Sequence, residues 1–341
     1  MITYYSGMKF FNYLLLLFGV MTILAACDSE KKAEDKLPLE ANKKPEIAIP
    51  EFNADSAYHF IEKQVSFGPR VPNGVGHREC GDYLVEKLKS YADEVKEQQF
   101  ESKAYDGTNL YLKNIIASFN TNSKKRILLA AHWDTRPVAD KDSVNKQEPI
   151  AGANDGGSGV GVLMEIARQL HLDTGFRVGV DLILFDGEDY GVPVYEEGFK
   201  NVPYSGYCLG SQYWARNKHV PGYSAYYGVL LDMVGAKGAK FYQEGLSMSS
   251  APSIVKKVWD FGHGLGYGDY FIYQKSQDIL DDHRFVNQWA NIPMIDIVEY
   301  DPATKNYFSD YHHTHRDNMD LIDKNTLKAV GQTVLKTIYL E

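Results

Sequence analysis

Carboxylates and imidazoles recur in this 341-residue chain where apolar runs stop, and these side chains hold divalent metals or move protons. His132-Trp133-Asp134 closes the apolar run 127–131. At a period of two, His132 and Asp134 project to the same side, so one suits a metal while the other steadies an imidazole or a peptide. Taken alone, a hydrogen-bonded His at a strand end is the simpler explanation of the first cluster. In Gly152-Ala153-Asn154-Asp155-Gly156-Gly157-Ser158-Gly159, the glycines let the backbone turn tightly and bring Asp155 to a metal without Cβ clashes. Residues 157–161 lack the full dinucleotide spacing and follow a polar loop (140–149), not a strand, which argues against a nucleotide cofactor. Nor is the segment a nucleophile elbow, so Ser158 has no claim as an acyl acceptor.

Three further clusters complete the set. Asp186-Gly187-Glu188-Asp189 follows a buried run, and its adjacent carboxylates repel unless a cation, a shared proton or solvent relieves them. Asp232 is the one acid in the otherwise apolar run 230–234, where a buried carboxylate demands a partner. Asp281-Asp282-His283 and the segment Tyr311-His312-His313-Thr314-His315 supply the rest; the second holds three of the ten histidines, and one or two of these are bystanders. Together the clusters offer Asp, Glu and His ligands suited to zinc and leave a carboxylate spare for proton transfer.

Such residues need strand ends to hold them. Residues 110–118, 127–132, 178–185, 226–234 and 293–298 read as strands, and 127–131 and 182–185 are apolar throughout, as strands covered on both faces are. Helical spacing marks 53–65, 76–92, 159–170, 210–218, 253–261 and 324–340. The alternation predicts an α/β fold: one domain over residues 51–341 with a central twisted, mostly parallel mixed β-sheet flanked by helices. Sites in open α/β sheets form at the carboxyl ends of strands, where these clusters lie.

The net charge of −9, with no basic cluster, excludes a nucleic-acid partner. Lys9, the apolar run 13–26 and Leu24-Ala25-Ala26-Cys27 read as a secretory signal over residues 1–26 that ends like a bacterial lipobox, with Cys27 the lipidated residue. Met8 serves equally well as a start. An uncleaved anchor is the rival reading, but the run is shorter than the roughly 20 residues a spanning helix needs. Residues 27–50 are charged and carry Pro38, Pro45 and Pro50, which predicts a flexible tether on an exported cell-envelope lipoprotein. Cys80 and Cys208 are expected as buried free thiols.

From Phe67 to about Asp323 the chain resembles the zinc aminopeptidases that share their fold with animal-type glutaminyl-peptide cyclotransferases. The landmarks run in the family's order: Gly68-Pro69-Arg70, His132-Trp133-Asp134, Asn154-Asp155-Gly156, Asp186 to Asp189, Leu231-Asp232, Asp281-Asp282-His283 and His313-Thr314. The resemblance implies Asp155, Asp189 and His313 as zinc ligands and Glu188 as general base and acid. Two-zinc aminopeptidases of this kind use the positions matching His132 and Asp232 for a second metal, with Asp155 bridging. The cyclotransferases are typically described with one zinc and place the Asp232 equivalent in a proton network with the Glu and a further Asp. Peptidases usually read Ser-Asp-His where this chain reads Asp281-Asp282-His283, so Asp281 resembles the cyclase pattern. Two departures are His312, where animal cyclases show Trp, and Asp189 in place of Glu.

The resemblance therefore implies cyclisation of the N-terminal Gln of peptides or proteins to pyroglutamate, with ammonia released and one zinc bound. The alternatives are an aminopeptidase with two zincs, or a lipoprotein that only binds peptides, for which the acids and the His would have to be eroded. None of them is missing.

Overall fold

The structure, a computed structural model, describes residues 47–199 and 201–341. The leader, Cys27 and most of the tether lie outside the described residues. In chain order the elements are α1 (Ala54–Val65), α2 (Val75–Lys89), β1 (Glu94–Lys103), β2 (Asn109–Phe119), β3 (Arg126–His132), α3 (Gly157–Leu172), β4 (Gly179–Phe185), α4 (Leu209–Arg216) and β5 (Gly228–Asp232). There follow β6 (Phe241–Gln243), α5 (Gly245–Ser250), α6 (Pro252–Gly264), β7 (Phe271–Lys275), α7 (Asp282–Ala290), β8 (Met294–Val298) and α8 (Lys324–Tyr339).

The main sheet has the order β1-β2-β4-β3-β5-β8. The pairs β1/β2 and β2/β4 are antiparallel, while β3/β4, β3/β5 and β5/β8 are parallel. The expected α/β architecture with a mostly parallel mixed sheet is what the chain adopts. β3 lies between β4 on one side and β5 on the other, so the chain reverses direction across the sheet there. A crevice opens at the carboxyl ends of strands at such a point.

Side-chain alternation along the central strands splits the apolar residues cleanly. Leu129, Ala131, Leu182, Leu184, Val229 and Leu231 enter the core shared with α1, α3, α6 and α8. Leu128, Ala130, Ile183, Phe185 and Leu230 enter the core shared with α4 and α7. Each Leu, Ile, Val or Phe among them contributes about 1.5–3 kcal/mol on burial, and a one-residue slip would send every one to the opposite core. Gly159 lets α3 press on β5: a Cβ there would meet the Leu231 carbonyl oxygen at 2.2 Å.

The strands read from the sequence fall at β2, β3, β4, β5 and β8, with β5 two residues shorter at each end (228–232 against 226–234). β1 carries no apolar signal, because as an edge strand it buries only Phe100. α7 starts at Asp282 in a stretch that carries no helix reading in the sequence; Asp281 is its N-cap, its carboxylate accepting the Asp282 amide. Among the described residues no helix is long and apolar enough to cross a membrane.

Cys80 lies in the larger core and Cys208 in the smaller, and both are free and buried. Burial pushes the Cys80 thiol up to about 12 and the Cys208 thiol well above its usual range. Thiolates are the reactive form, so iodoacetamide at pH 8 should label neither residue until the chain is unfolded in guanidinium. Labelling of either thiol in the native protein at the denatured rate would contradict this packing.

Candidate active site

His132 is the last residue of β3, Asp232 the last of β5, and Asp186 to Asp189 follow β4 directly. The loop after β8 brings in His313. These strand ends are neighbours in the sheet, so acids far apart in sequence share one edge.

Other carboxylates hold the loops in place. Asp134 accepts the amides of Glu188 and Asp189 at 3.0 and 3.1 Å. Asp317 accepts those of Asn154 and Asp155 at 2.7 and 3.0 Å. Gly156 has φ +80°, and a Cβ there would meet the Asp134 carbonyl oxygen at 2.5 Å and the His132 ring at 3.0 Å. Only glycine lets the Asp155 loop come this close to His132.

His313 Nε2 lies 3.6 Å from Asp155 Oδ2 and 3.3 Å from Asp189 Oδ1. Zinc–ligand bonds of 2.0–2.2 Å at tetrahedral angles put neighbouring donors about 3.3–3.6 Å apart, and His313 stands at such a distance from each carboxylate. Among the described residues, the donors around His313 that all lie within 4.8 Å of one another are those of Asp155, His313 and His312, without Asp189. Asp189 Oδ2 is buried without a hydrogen-bond partner among the described residues. The carboxyl of Asp189 is held below its usual range: burial works to raise it, and His313 and Arg136 outweigh burial. Carboxylate and imidazole donors of this kind suit zinc.

The adjacent histidine competes for the role. His312 Nε2 stands 3.7 Å from Asp155 Oδ2, and one nitrogen from each histidine falls within 4.8 Å of Asp155 and of the other. Their second nitrogens separate them. Lys141 Nζ donates to His312 Nδ1 at 2.7 Å, which places the neutral ring's proton on Nε2 and leaves no lone pair toward Asp155. His313 Nδ1 makes no hydrogen bond to the described residues but faces Asp140 Oδ1 at 3.4 Å, and a carboxylate there favours the proton on Nδ1 and a lone pair at Nε2. The network therefore leaves the free lone pair on His313 Nε2, the nitrogen that faces Asp155 and Asp189. Burial, with the charges of His313 and Lys141, also keeps His312 well below the usual imidazole range.

A second cluster abuts the first. His132 Nε2 lies 3.1 Å from Asp155 Oδ1 and 3.2 Å from Asp232 Oδ1, while its Nδ1 faces Asp134 at 3.5 Å. Burial disfavours the imidazolium, but the three carboxylates outweigh burial and hold the His132 pKa well above normal. Either a proton or a further cation satisfies this arrangement.

Glu188 sits beside both clusters, with 9% of its surface exposed. The thiol of Cys208 donates to its Oε1 at 3.1 Å, and Glu188, Cys208 and Asp281 bring one polar atom each within 4.8 Å of one another. Burial raises the Glu188 carboxyl well above normal; His132 opposes this, while Asp281, Asp189 and Asp282 add to it. Burial likewise lifts Asp281, and brings Asp232 to about 7 against its bond to His132. Packed acids of this kind share protons near neutral pH, which is where a general acid–base works.

Asp155, Glu188, Asp189, Asp232, Asp281 and His313 all open into one cavity of about 450 Å³, walled by Tyr207, Ile279, Leu280, Tyr307 and Phe308. A larger cleft of about 680 Å³ beside α2 and β1–β2 contains none of these acids. Sequence reasoning missed Cys208 as a partner of Glu188, Lys141, Asp140, and Asp317 as the clamp on the Asp155 loop. It also missed Glu244, which pairs at 3.1 Å with His283 behind Asp281. Asp140, Lys141 and Asp317 lie in polar segments that do not single them out, and Cys208 carries no signal of its own.

Residues 114–338 match the peptidase family M28. A glutaminyl cyclase of Bacteroides thetaiotaomicron, solved bound to N-acetylhistamine, is 52% identical, with 86% of this chain and 100% of that chain covered and a TM-score of 0.83. A Zn-dependent exopeptidase of Parabacteroides distasonis is 50% identical over the same shares, also at 0.83. A glutaminyl-peptide cyclotransferase of Drosophila melanogaster is 26% identical over 282 residues, covering 76% of this chain and 73% of the relative.

Proposed function

The chain belongs to peptidase family M28, and from that membership we propose that its acidic pocket is the catalytic centre of a zinc-dependent glutaminyl-peptide cyclotransferase. It converts the N-terminal Gln of peptides or proteins to pyroglutamate and releases ammonia. One observation carries this over peptidase chemistry: Asp281, buried and within reach of Glu188, puts a second carboxyl beside the general base. Ring closure moves a proton from amine to leaving group, and a carboxyl pair suits that transfer.

The proposed ligands of a single zinc are Asp155, Asp189 and His313. When bound, the ion supplies a Lewis acid for the carboxamide oxygen of the Gln side chain. Glu188 accepts a proton as the α-amine nitrogen bonds to the carboxamide carbon. It returns that proton to the amide nitrogen as the carbon–nitrogen bond breaks and ammonia leaves. The nucleophile arrives with the substrate, so no water has to be positioned, and the apolar walls keep water out. Asp281 and Asp232 share the proton load, and Cys208 orients the Glu188 carboxyl.

His132 between Asp155 and Asp232 favours one alternative, an aminopeptidase with a second zinc there and Glu188 activating a water. A paired assay separates the two. We expect ammonia from Gln-peptides, no cleavage of Leu- or Ala-anilides, and one zinc per chain. Anilide cleavage with two zincs would establish the peptidase instead.

We further propose that Cys27 is lipidated and tethers the enzyme to a bacterial envelope membrane. The support is the Leu24-Ala25-Ala26-Cys27 ending and the charged segment after it. In cell fractionation, Cys27→Ala should move the protein from the membrane pellet to the soluble exported fraction; an unchanged pellet would reject the anchor.

A further inference from the structure

Arg136 and Asp140 lie outside every motif considered so far, yet neither has a solvent-facing role. Both are essentially fully buried, at 0% and 1% exposed. The guanidinium grips Asp140 as a fork, Nε to Oδ1 and Nη2 to Oδ2, each at 2.8 Å. Its remaining arm, Nη1, donates to Asp189 twice, to Oδ1 at 3.0 Å and to the backbone oxygen at 3.1 Å. Asp140 in turn faces His313 Nδ1 at 3.4 Å, and its Oδ2 accepts the amide of Val194, which lines the cavity. The Lys141 amide, next in sequence, donates to the His313 carbonyl at 3.3 Å.

Asp189 and His313 are 124 positions apart and share no element. They nevertheless meet through one ion pair: Asp189 rests on the guanidinium, and His313 on the carboxylate that the same guanidinium holds. Arg alone among side chains can do this, because its planar fork binds one carboxylate with two donors and keeps others for a second. The charges match the purpose. The fork puts one buried cation among two buried carboxylates and a histidine, leaving the acidic excess for a metal to neutralise.

We propose that Arg136 and Asp140 form a single positioning unit that sets two of the three zinc ligands at once. Arg136 aims the Asp189 carboxylate, and Asp140 keeps the His313 proton on Nδ1 so that the Nε2 lone pair meets the ion. This rests on the ligand assignment above but not on the identity of the substrate.

The test is the zinc dissociation constant of the full chain, measured by competition with a chromophoric chelator. Outer partners of metal ligands typically contribute about 10- to 100-fold in affinity. Arg136→Gln and Asp140→Asn should each weaken zinc binding by about that factor, and the double variant by no more than the worse single one. Arg136→Lys should fall between, because an ammonium keeps the charge but not the fork. The absorption spectrum of the cobalt-substituted protein should shift in all three single variants, and saturating zinc should restore much of kcat with little change in KM. Melting of the zinc-free forms separates folding from ligation. If Arg136→Gln does not fold, Asp140→Asn and Arg136→Lys carry the measurement. Wild-type zinc affinity and cobalt spectra in folded variants, or additive losses in the double variant, would overturn the unit. A wild-type chain that binds no zinc would instead remove the ligand assignment itself.

Discussion

Glu188→Gln is expected to lower kcat for ammonia release from Gln-peptides by about 10²–10⁴-fold, the usual contribution of a positioned general acid–base. The substitution is nearly isosteric, and the amide oxygen of Gln can still accept the Cys208 thiol, which lies 3.1 Å from Oε1 in the parent. What disappears is a group able to take and return a proton. Zinc content and KM should therefore stay close to those of the parent, confining the loss to the chemical step. Thermal stability should not fall, because the change removes an acid whose charge burial, Asp281, Asp189 and Asp282 all oppose. Full activity in Glu188→Gln would falsify the base assignment under either the cyclase or the peptidase reading.

The second large effect separates two neighbouring histidines. His313→Ala should lose zinc during purification and lower kcat/KM by about 10³-fold or more, since Lewis-acid stabilisation is worth several kcal/mol and about 1.4 kcal/mol is tenfold. His312→Ala should retain zinc, because its Nδ1 is occupied by Lys141 and its Nε2 carries the proton. The measurements are metal content by atomic emission and Gln-peptide turnover, made side by side. The reverse pattern, with zinc lost in His312→Ala and kept in His313→Ala, would show that the hydrogen-bond network misassigns the ligand.

The fold was legible where burial imposes a period. Residues 127–131 and 182–185 read as fully covered strands because both their faces meet helices, and β3 and β4 are those strands. β1 was not legible. An edge strand with one buried side chain among Glu, Lys and Gln has no apolar alternation, and its hydrogen bonds to β2 hold it in the sheet.

The polar residues that end β3 and β5 and follow β4 were visible for a related reason. A charged residue ending an apolar run has to meet a partner, so His132, Glu188 and Asp232 mark the edge of a crevice in the sequence alone. Their partners were less visible. Cys208 meets Glu188 because a left-handed residue at φ +61° caps α4 and turns the thiol inward, a conformation that composition does not announce.

The sequence by itself determined the element types, the order in which the strands deliver their acids, and the kind of ion those acids suit. Each follows from local periodicity and the cost of burying charge. Only the tertiary structure decided which of two adjacent histidines offers a lone pair. Lys141 and Asp140, consecutive in the chain, face His312 and His313 respectively across more than 170 positions. A tautomer depends on what touches the other ring nitrogen, and that contact exists only once distant segments have packed together.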